Sequence, residues 1–406
     1  MPSLESVTAI VMVGAGSRYE NKKNNGISHF FEHMAFKGTE KRPTAMEISS
    51  LIDGMGGECN AFTGKEITGY YIKTAKSKLE TSLDILSDML MHSKLDPVEI
   101  DKERGVIIEE INMIEDTPMR KLGDIYEELL YGDVPMGWDI AGTKENILSI
   151  SPQDFRDYMG SLYSAHNMTV VVAGGVESIK VEELVEKYFA DMQRFDIGKP
   201  LALNEFQDKP QVLIREKKTE QIHIAIGVRT VAINSSKKYS LSVLAAILGG
   251  GMSSRLFHEV RESRGLGYYI RTHSDEYTDA GSLVSTAGID PKRVVEAVEV
   301  IISEYQKVSS GKMELSDKEL TKAKEYIKGH LVLGLEDSNS VAGYYGHQEL
   351  LEEKIENPDK VLAQIEAVTK DEVESVGKEF FINNTLNLAL IGNFSDGQKL
   401  ENLLKL

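Results

Sequence analysis

Two histidines four residues apart give this sequence its clearest chemical signal. In the run His29-Phe30-Phe31-Glu32-His33, the two imidazoles leave the same face of a predicted helix, because residues i and i+4 lie one turn apart. Two imidazoles on one face suit zinc, which takes nitrogen ligands in a tetrahedral site. Glu32 reaches the same face and can act on a water that the metal binds. This inverted zinc-hydrolase pattern predicts a zinc site, and a histidine pair without metal is the alternative.

A second predicted helix, residues 96–114, offers the further ligand that a catalytic zinc needs. Glu103 and Glu110 lie two turns apart on a stripe that is otherwise apolar. Since a buried charge needs a partner, we expect one carboxylate on the metal and the other behind it, holding a ligand or a substrate group. Spacing alone does not assign the two roles, and a pair of ordinary surface glutamates is the alternative.

The composition is that of a globular chain. Of the 406 residues, 41% are hydrophobic and 27% charged, which excludes disorder and fibrous repeats. The net charge of −18 disfavours nucleic acid and favours basic peptides. The single cysteine, Cys59, excludes an intrachain disulfide and a cysteine-held metal. Because no apolar run could span a bilayer and no signal or transit peptide is recognisable, we expect a cytoplasmic protein that binds no membrane.

Several features occur twice, which predicts two copies of one unit. The expected organisation is a first domain at residues 1–191, a linker at 192–210 and a second domain at 211–406. Short strands separated by paired helices favour an α+β fold, in which each domain is a mostly antiparallel sheet with helices packed on one face. The matched segments are residues 77–90 with 292–305, 95–116 with 315–337, and 167–176 with 385–394.

Three segments carry a resemblance to a known family. GAGSRYENKKNNGISHFFEHMAFKGT (residues 14–39), CNAFTGKEITGYY (59–71) and ERGVIIEEI (103–111) resemble the pitrilysin/insulinase family of metallopeptidases, in particular its processing-peptidase branch. The resemblance extends from about residue 7 to the C-terminus. It implies the processing-peptidase-like metallohydrolase fold and a zinc endopeptidase, with a catalytic first domain and a degenerate second domain that completes the substrate chamber.

The resemblance also implies roles for individual residues. One zinc per chain is held by His29, His33 and Glu110, with Glu103 as a supporting acid and Glu32 as the general base. In the edge strand, an extended peptide would add as a further strand. In the second half, two residues would act as donors to the scissile carbonyl as it gains negative charge. The edge-strand residues are Asn60, Ala61 and Phe62, and the donors are Arg261 and Tyr268.

The expected activity is hydrolysis of extended or unfolded peptides by metal-activated water. Family enzymes of about twice this length enclose the substrate with four such units, so a homodimer is expected here. A heterodimer with an inactive homologue, and a non-catalytic peptide-binding or assembly subunit, are the alternatives. One of the two positions that carry paired acids in the processing-peptidase pattern departs from it. Arg120 replaces one acid, whereas Asp124 keeps the other, which weakens the expected preference for a basic residue near the cleavage site. Lys37, near the histidines, reads as a solvated charge.

Overall fold

The computed structural model describes residues 1, 3–204 and 206–406 of the chain. Within them, no helix is long and apolar enough to cross a membrane. The strands are β1 (Ser6–Val13), β2 (Glu58–Thr63), β3 (Thr68–Ala75), β4 (Met168–Gly174), β5 (Gln211–Glu216), β6 (Ile222–Arg229), β7 (Gly267–Glu276), β8 (Gly281–Ile289) and β9 (Leu386–Gly392). The helices are α1 (Ile27–Met34), α2 (Ala45–Gly54), α3 (Leu79–Met91), α4 (Pro97–Glu115), α5 (Pro118–Tyr131), α6 (Lys144–Ser149), α7 (Pro152–Leu162), α8 (Ser178–Phe189), α9 (Lys238–Gly249), α10 (Val294–Ser309), α11 (Asp317–Gly334), α12 (Ser338–Leu351), α13 (Pro358–Ala367), α14 (Lys370–Phe380) and α15 (Gly397–Leu403).

The chain forms two compact units that are discontinuous in sequence. Helix α5 follows the long helix α4 of the first half but belongs to unit 2. Helix α12 follows the long helix α11 of the second half but belongs to unit 1. The predicted domains, 1–191 and 211–406, did not include this exchange of helices. In its described residues, the predicted linker at 192–210 carries neither helix nor strand. Unit 1 comprises Met1–Met113, Trp138–Leu201 and Gly334–Ile355, and unit 2 comprises Ile114–Gly137, Ala202–Leu333 and Glu356–Leu406.

The sheet of unit 1 is antiparallel, with the strand order β2-β3-β1-β4. Strand β1 is almost wholly apolar because both of its faces are covered. Val7, Ala9 and Val11 share one core with residues of α3, whereas Ile10 and Met12 share a second core with α12. The order leaves β2 at an edge of the sheet, where an extended chain could pair with it.

The sheet of unit 2 has the order β5-β9-β6-β8-β7, in which only β5 and β9 are parallel. Helices α9, α10 and α14 pack on one face in the main core. Helix α5 covers part of the other face, where Leu122 and Ile125 pack with Ala225 and Ala389. The predicted α+β class is confirmed, and each sheet carries one additional helix on its opposite face.

An ion cluster fixes the segment between α1 and α2 to α3. Asp84 accepts hydrogen bonds from Lys41 Nζ at 2.7 Å and Arg42 Nη2 at 2.6 Å. The other guanidinium nitrogen of Arg42 donates to Asp88 at 2.5 Å. Burial alone would raise the pKa of Asp84, but the two cations outweigh it and hold that pKa below its ordinary value.

Candidate active site

The helix that carries the histidine pair begins at a buried carboxylate. Glu20 accepts hydrogen bonds from the backbone N–H groups of Gly26 and Ser28, both at 2.8 Å, and from Asn25 Nδ2 at 3.0 Å. Because the first N–H groups of a helix lack intrahelical partners, this carboxylate fixes where α1 starts. Gly26 has φ 99°, and a Cβ there would lie 2.7 Å from the Ala141 carbonyl oxygen, so glycine is required.

Aromatic packing sets the rotation of α1 about its axis. Phe30 and Phe31 are fully buried, and their rings contact Phe155 and Tyr163 edge-to-face at centroid distances of 4.9 and 5.0 Å. The histidines lie on the remaining, partly open face of the helix. The His29 and His33 rings are 4.8 Å apart in an edge-to-face arrangement.

The structure brings His29, His33 and Glu110 together. The Nε2 atoms of both histidines lie 3.5 Å from Glu110 Oε2, and the three donor atoms lie within 4.8 Å of one another. Ligands of a tetrahedral zinc, at 2.0–2.2 Å from the metal, are about 3.4 Å apart. The donor set of two imidazoles and a carboxylate therefore fits a zinc ion with an open position. Among the described residues, no other group of His, Cys, Asp and Glu has metal-ligand spacing.

Glu103 lies behind the histidine pair, in the position that the resemblance implied for a supporting acid. Its Oε1 accepts a hydrogen bond from His33 Nδ1 at 2.9 Å, and its Oε2 contacts Lys37 Nζ at 2.5 Å. A carboxylate only accepts, so the proton of neutral His33 sits on Nδ1 and the Nε2 lone pair is free for a metal. The sequence indicated that Lys37 is a solvated charge, and this was wrong. Lys37 is the ion-pair partner of Glu103, whose carboxylate is on a residue that is 5% exposed.

The pKa of His29 is lowered and that of His33 is raised, because burial dominates at the first and neighbouring carboxylates dominate at the second. Burial, followed by the neighbouring His33, lowers the pKa of His29 to about 4. For His33, burial is outweighed by the carboxylates of Glu103 and Glu110, which raise its pKa to about 9. Burial would raise the pKa of Glu103, but hydrogen bonds from His33 and Lys37 lower it below its ordinary value. At neutral pH, therefore, His29 is neutral and Glu103 ionised.

Glu32 is held beside the donor cluster without being part of it. Its Oε2 accepts a hydrogen bond from Thr63 Oγ1 of β2 at 2.6 Å. Burial raises the pKa of Glu32, while the Thr63 hydrogen bond opposes the rise. A half-buried carboxylate with a raised pKa, next to a candidate metal centre, suits a group that accepts and returns a proton.

Asn60, Ala61 and Phe62 lie in β2, at the sheet edge where the resemblance placed them. The Ala61 amide bonds the side-chain oxygen of Asn60 at 2.9 Å. If a substrate carbonyl replaced the Asn60 side chain as acceptor, the Ala61 N–H would still have a hydrogen-bond partner. Phe62 is 38% exposed and leaves a large apolar surface beside this edge.

Arg261 and Tyr268 belong to unit 2. Arg261 lies in a π-helical segment, Phe257–Glu262, and Tyr268 is near the start of β7. The guanidinium of Arg261 contacts two rings, at 5.0 Å from the centroid of Phe257 and 5.1 Å from that of Tyr268. The structure thus brings this predicted pair together, and cation–π contacts hold the guanidinium.

Sequence reasoning missed Glu20 and Thr63 and misread Lys37. Each acts through a tertiary contact rather than through helix periodicity. Thr63 and Lys37 lie within the recognised segments 59–71 and 14–39, which were the available signal. Glu20 lies in segment 14–39, six residues before Gly26, the N-cap residue whose amide it binds.

The chain is similar to known proteins over nearly its whole length. Residues 1–144 match the family model described as insulinase (peptidase family M16), and residues 149–327 match the model described as peptidase M16 inactive domain. A Bacillus subtilis protein named as an uncharacterized zinc protease, YmxG, is 36% identical, covering 96% of this chain and 94% of its own length. The β subunit of the mitochondrial-processing peptidase of Saccharomyces cerevisiae is 30% identical, covering 97% and 88% of the two chains.

Solved structures show the same fold over nearly the whole chain. A protease from Helicobacter pylori superimposes with a TM-score of 0.89 at 26% identity, covering 95% of this chain and 94% of the other. A Pseudomonas fluorescens protein described as a peptidase M16 inactive domain gives a TM-score of 0.87 at 16% identity, covering 97% and 94%, which shows the fold alone. The similarity predicted from the sequence segments is confirmed, and the relatives' names support a zinc-metallopeptidase type of function.

Proposed function

Because the chain belongs to the insulinase family of peptidases, M16, we propose that it is a zinc-dependent endopeptidase that hydrolyses extended or unfolded peptides. The observation that carries the proposal is the donor cluster of His29, His33 and Glu110, with its 3.5 Å nitrogen–oxygen distances. A general base, Glu32, adjoins this cluster. A scaffold has no chemical need for that combination.

The chain's own residues account for the proton movements. When bound by His29, His33 and Glu110, zinc supplies a Lewis acid that lowers the pKa of water. Glu32 takes the proton of the attacking water at its carboxylate and then passes it to the leaving amine. The Thr63 hydrogen bond holds that carboxylate in place. Glu103 holds His33 in the tautomer that offers Nε2 as a ligand.

Residues outside the donor cluster orient the substrate. The unpaired edge of β2, residues 60–62, binds the peptide main chain as an additional strand. Arg261 and Tyr268 donate to the carbonyl oxygen as negative charge develops there. Their mutual packing supports this role, because a guanidinium that already contacts two rings loses less freedom on binding.

We further propose a cytoplasmic homodimer with one zinc per chain, in which Arg261 and Tyr268 of one chain serve the zinc of the other. Mixing two weakly active variants, Glu32→Gln and Arg261→Ala, tests this arrangement. Mixed dimers are expected to recover activity, because one site in each retains both groups. Mixed dimers that form without recovery would contradict it.

The activity itself is tested with a quenched-fluorophore library of unstructured peptides and the purified chain. Wild type, a chelator-treated sample and Glu32→Gln run side by side. We expect hydrolysis by wild type alone. Inactive wild type that binds one zinc per chain would indicate a missing partner subunit. A protein with neither metal nor activity would refute the peptidase and favour a non-catalytic peptide-binding subunit.

A further inference from the structure

Unit 2 contains an open cavity of about 600 Å³ between α5 and β7. We call it the α5–β7 cavity. Alternate residues of β7 line it, including Tyr269, Arg271 and Asp275, because every second side chain of a strand faces the same way. From the helix, Arg120 and Gly123 line the opposite side.

The positive charges in this cavity are available to a ligand, whereas its acids are already engaged. Asp275 forms an ion pair with His273 at 3.2 Å, and Glu127 accepts a hydrogen bond from the Tyr277 hydroxyl at 2.8 Å. Arg120 and Arg271 are both exposed, and neither forms an ion pair with any residue in the described part of the chain. Two available guanidiniums in one cavity stand out in a chain of net charge −18.

The cavity also offers apolar surface and space. Met119 lines it and is 56% exposed, so an aliphatic stem or a neighbouring apolar residue can pack there. Gly123 is exposed on α5, and a Cβ placed on it would meet no heavy atom within 4 Å. Tyr268, which packs on Arg261, borders the same cavity.

We propose that the α5–β7 cavity is a substrate subsite that binds an acidic side chain of a peptide, with Arg120 and Arg271 as the partners of its carboxylate. Guanidinium–carboxylate pairing is strong and directional, and a cavity with apolar walls accommodates the stem of a Glu side chain. The proposal rests on the proposed peptidase function, because the peptide is the substrate of that reaction. Its binding step does not require hydrolysis and is measured separately.

The test uses C-terminally amidated quenched-fluorophore peptides that carry Glu, Gln or Lys at each position in turn. For wild type, kcat/KM is expected to be about fivefold to tenfold higher for Glu than for Gln at one position, the range for a partly exposed charged hydrogen bond. The Kd of the same peptides is measured by fluorescence anisotropy on Glu32→Gln protein. The same preference is expected there.

Four variants separate a binding role from a structural one. Arg120→Gln and Arg271→Gln are each expected to reduce the Glu-to-Gln ratio toward one, and Arg271→Glu to favour Lys over Glu. Gly123→Leu fills the cavity without a clash at Cβ and is expected to abolish the preference. Arg264→Gln is the matched control, because it removes a charge in unit 2 from a residue paired with Glu259 outside the cavity.

The outcomes distinguish this subsite from the peptidase function. Hydrolysis without any preference for Glu over Gln, in rate and in binding, would overturn the subsite and leave the peptidase intact. Preferential binding of Glu peptides by wild-type protein that neither binds zinc nor hydrolyses them would support the subsite and refute the peptidase. The same peptides are also measured with a free C-terminal carboxylate, and a preference confined to those peptides would overturn the assignment to a side chain.

Discussion

Replacement of Glu103 tests how the protein prepares His33 for a metal. Glu103→Gln keeps an acceptor for His33 Nδ1 but removes the charge. A hydrogen bond to a charged group contributes about 1.5–3 kcal/mol and a neutral one about 0.5–1.5 kcal/mol, so roughly 1–1.5 kcal/mol is lost. This corresponds to about tenfold weaker zinc binding. Glu103→Ala removes the acceptor as well, and we expect a loss of about 10- to 100-fold.

The assay is competition for zinc with a chromophoric chelator at fixed pH, with circular dichroism as a check on folding. Glu109→Gln is the matched control, because Glu109 is an exposed residue of the same helix, hydrogen-bonded to Asn112 at 3.3 Å. The expected order of zinc affinity is wild type equal to the control, then Glu103→Gln, then Glu103→Ala. Wild-type affinity in folded Glu103→Ala would refute the role of this carboxylate.

Three further predictions concern the surroundings of the site. Thr63→Val removes the hydrogen bond to Glu32 and is expected to reduce kcat/KM about threefold to tenfold without weakening zinc binding. Thr63→Ser keeps the hydroxyl and is expected to retain activity. A wild-type kcat/KM for Thr63→Val would contradict this role. Glu20→Ala leaves buried amides at the start of α1 unpaired and is expected to lower the free energy of unfolding by about 2 kcal/mol or more in denaturant titration. The pKa of Asp84 is lower in the folded state than in the unfolded state, so ionised Asp84 stabilises the fold fully above its unfolded-state pKa and loses this effect as pH falls through its folded-state pKa. Asp84→Asn is therefore expected to have a lower free energy of unfolding than wild type at pH 7 and nearly the same one in strong acid. An equal loss at both pH values would count against the ion cluster.

The parts of the site that depend on helix periodicity were predictable from the sequence. The spacing of His29 and His33 placed both imidazoles on one face, and the spacing of Glu103 and Glu110 placed both carboxylates on one stripe. The structure brings all four side chains together. Assignment of Glu110 to the donor cluster and of Glu103 to His33 needed the resemblance, because spacing treats the two carboxylates alike.

The parts that depend on tertiary contacts were not predictable in the same way. Lys37 reads as a surface cation in sequence, and only the packing of α1 against α4 brings its ammonium group to Glu103. The repeat was visible, but the exchange of α5 and α12 between the two units was not. Their apolar faces specify that each packs on a sheet, and nothing in the local sequence specifies which sheet.

The central claim is that one zinc, held by His29, His33 and Glu110, and one base, Glu32, together make this chain a peptidase. It is tested most directly by titrating zinc into chelator-stripped protein while following peptide hydrolysis and bound metal in the same samples. Activity of wild type is expected to rise linearly and to level off at one zinc per chain. Glu32→Gln is expected to bind the same single equivalent and to remain inactive. Hydrolysis by the stripped protein, or full activity of zinc-loaded Glu32→Gln, would contradict the claim.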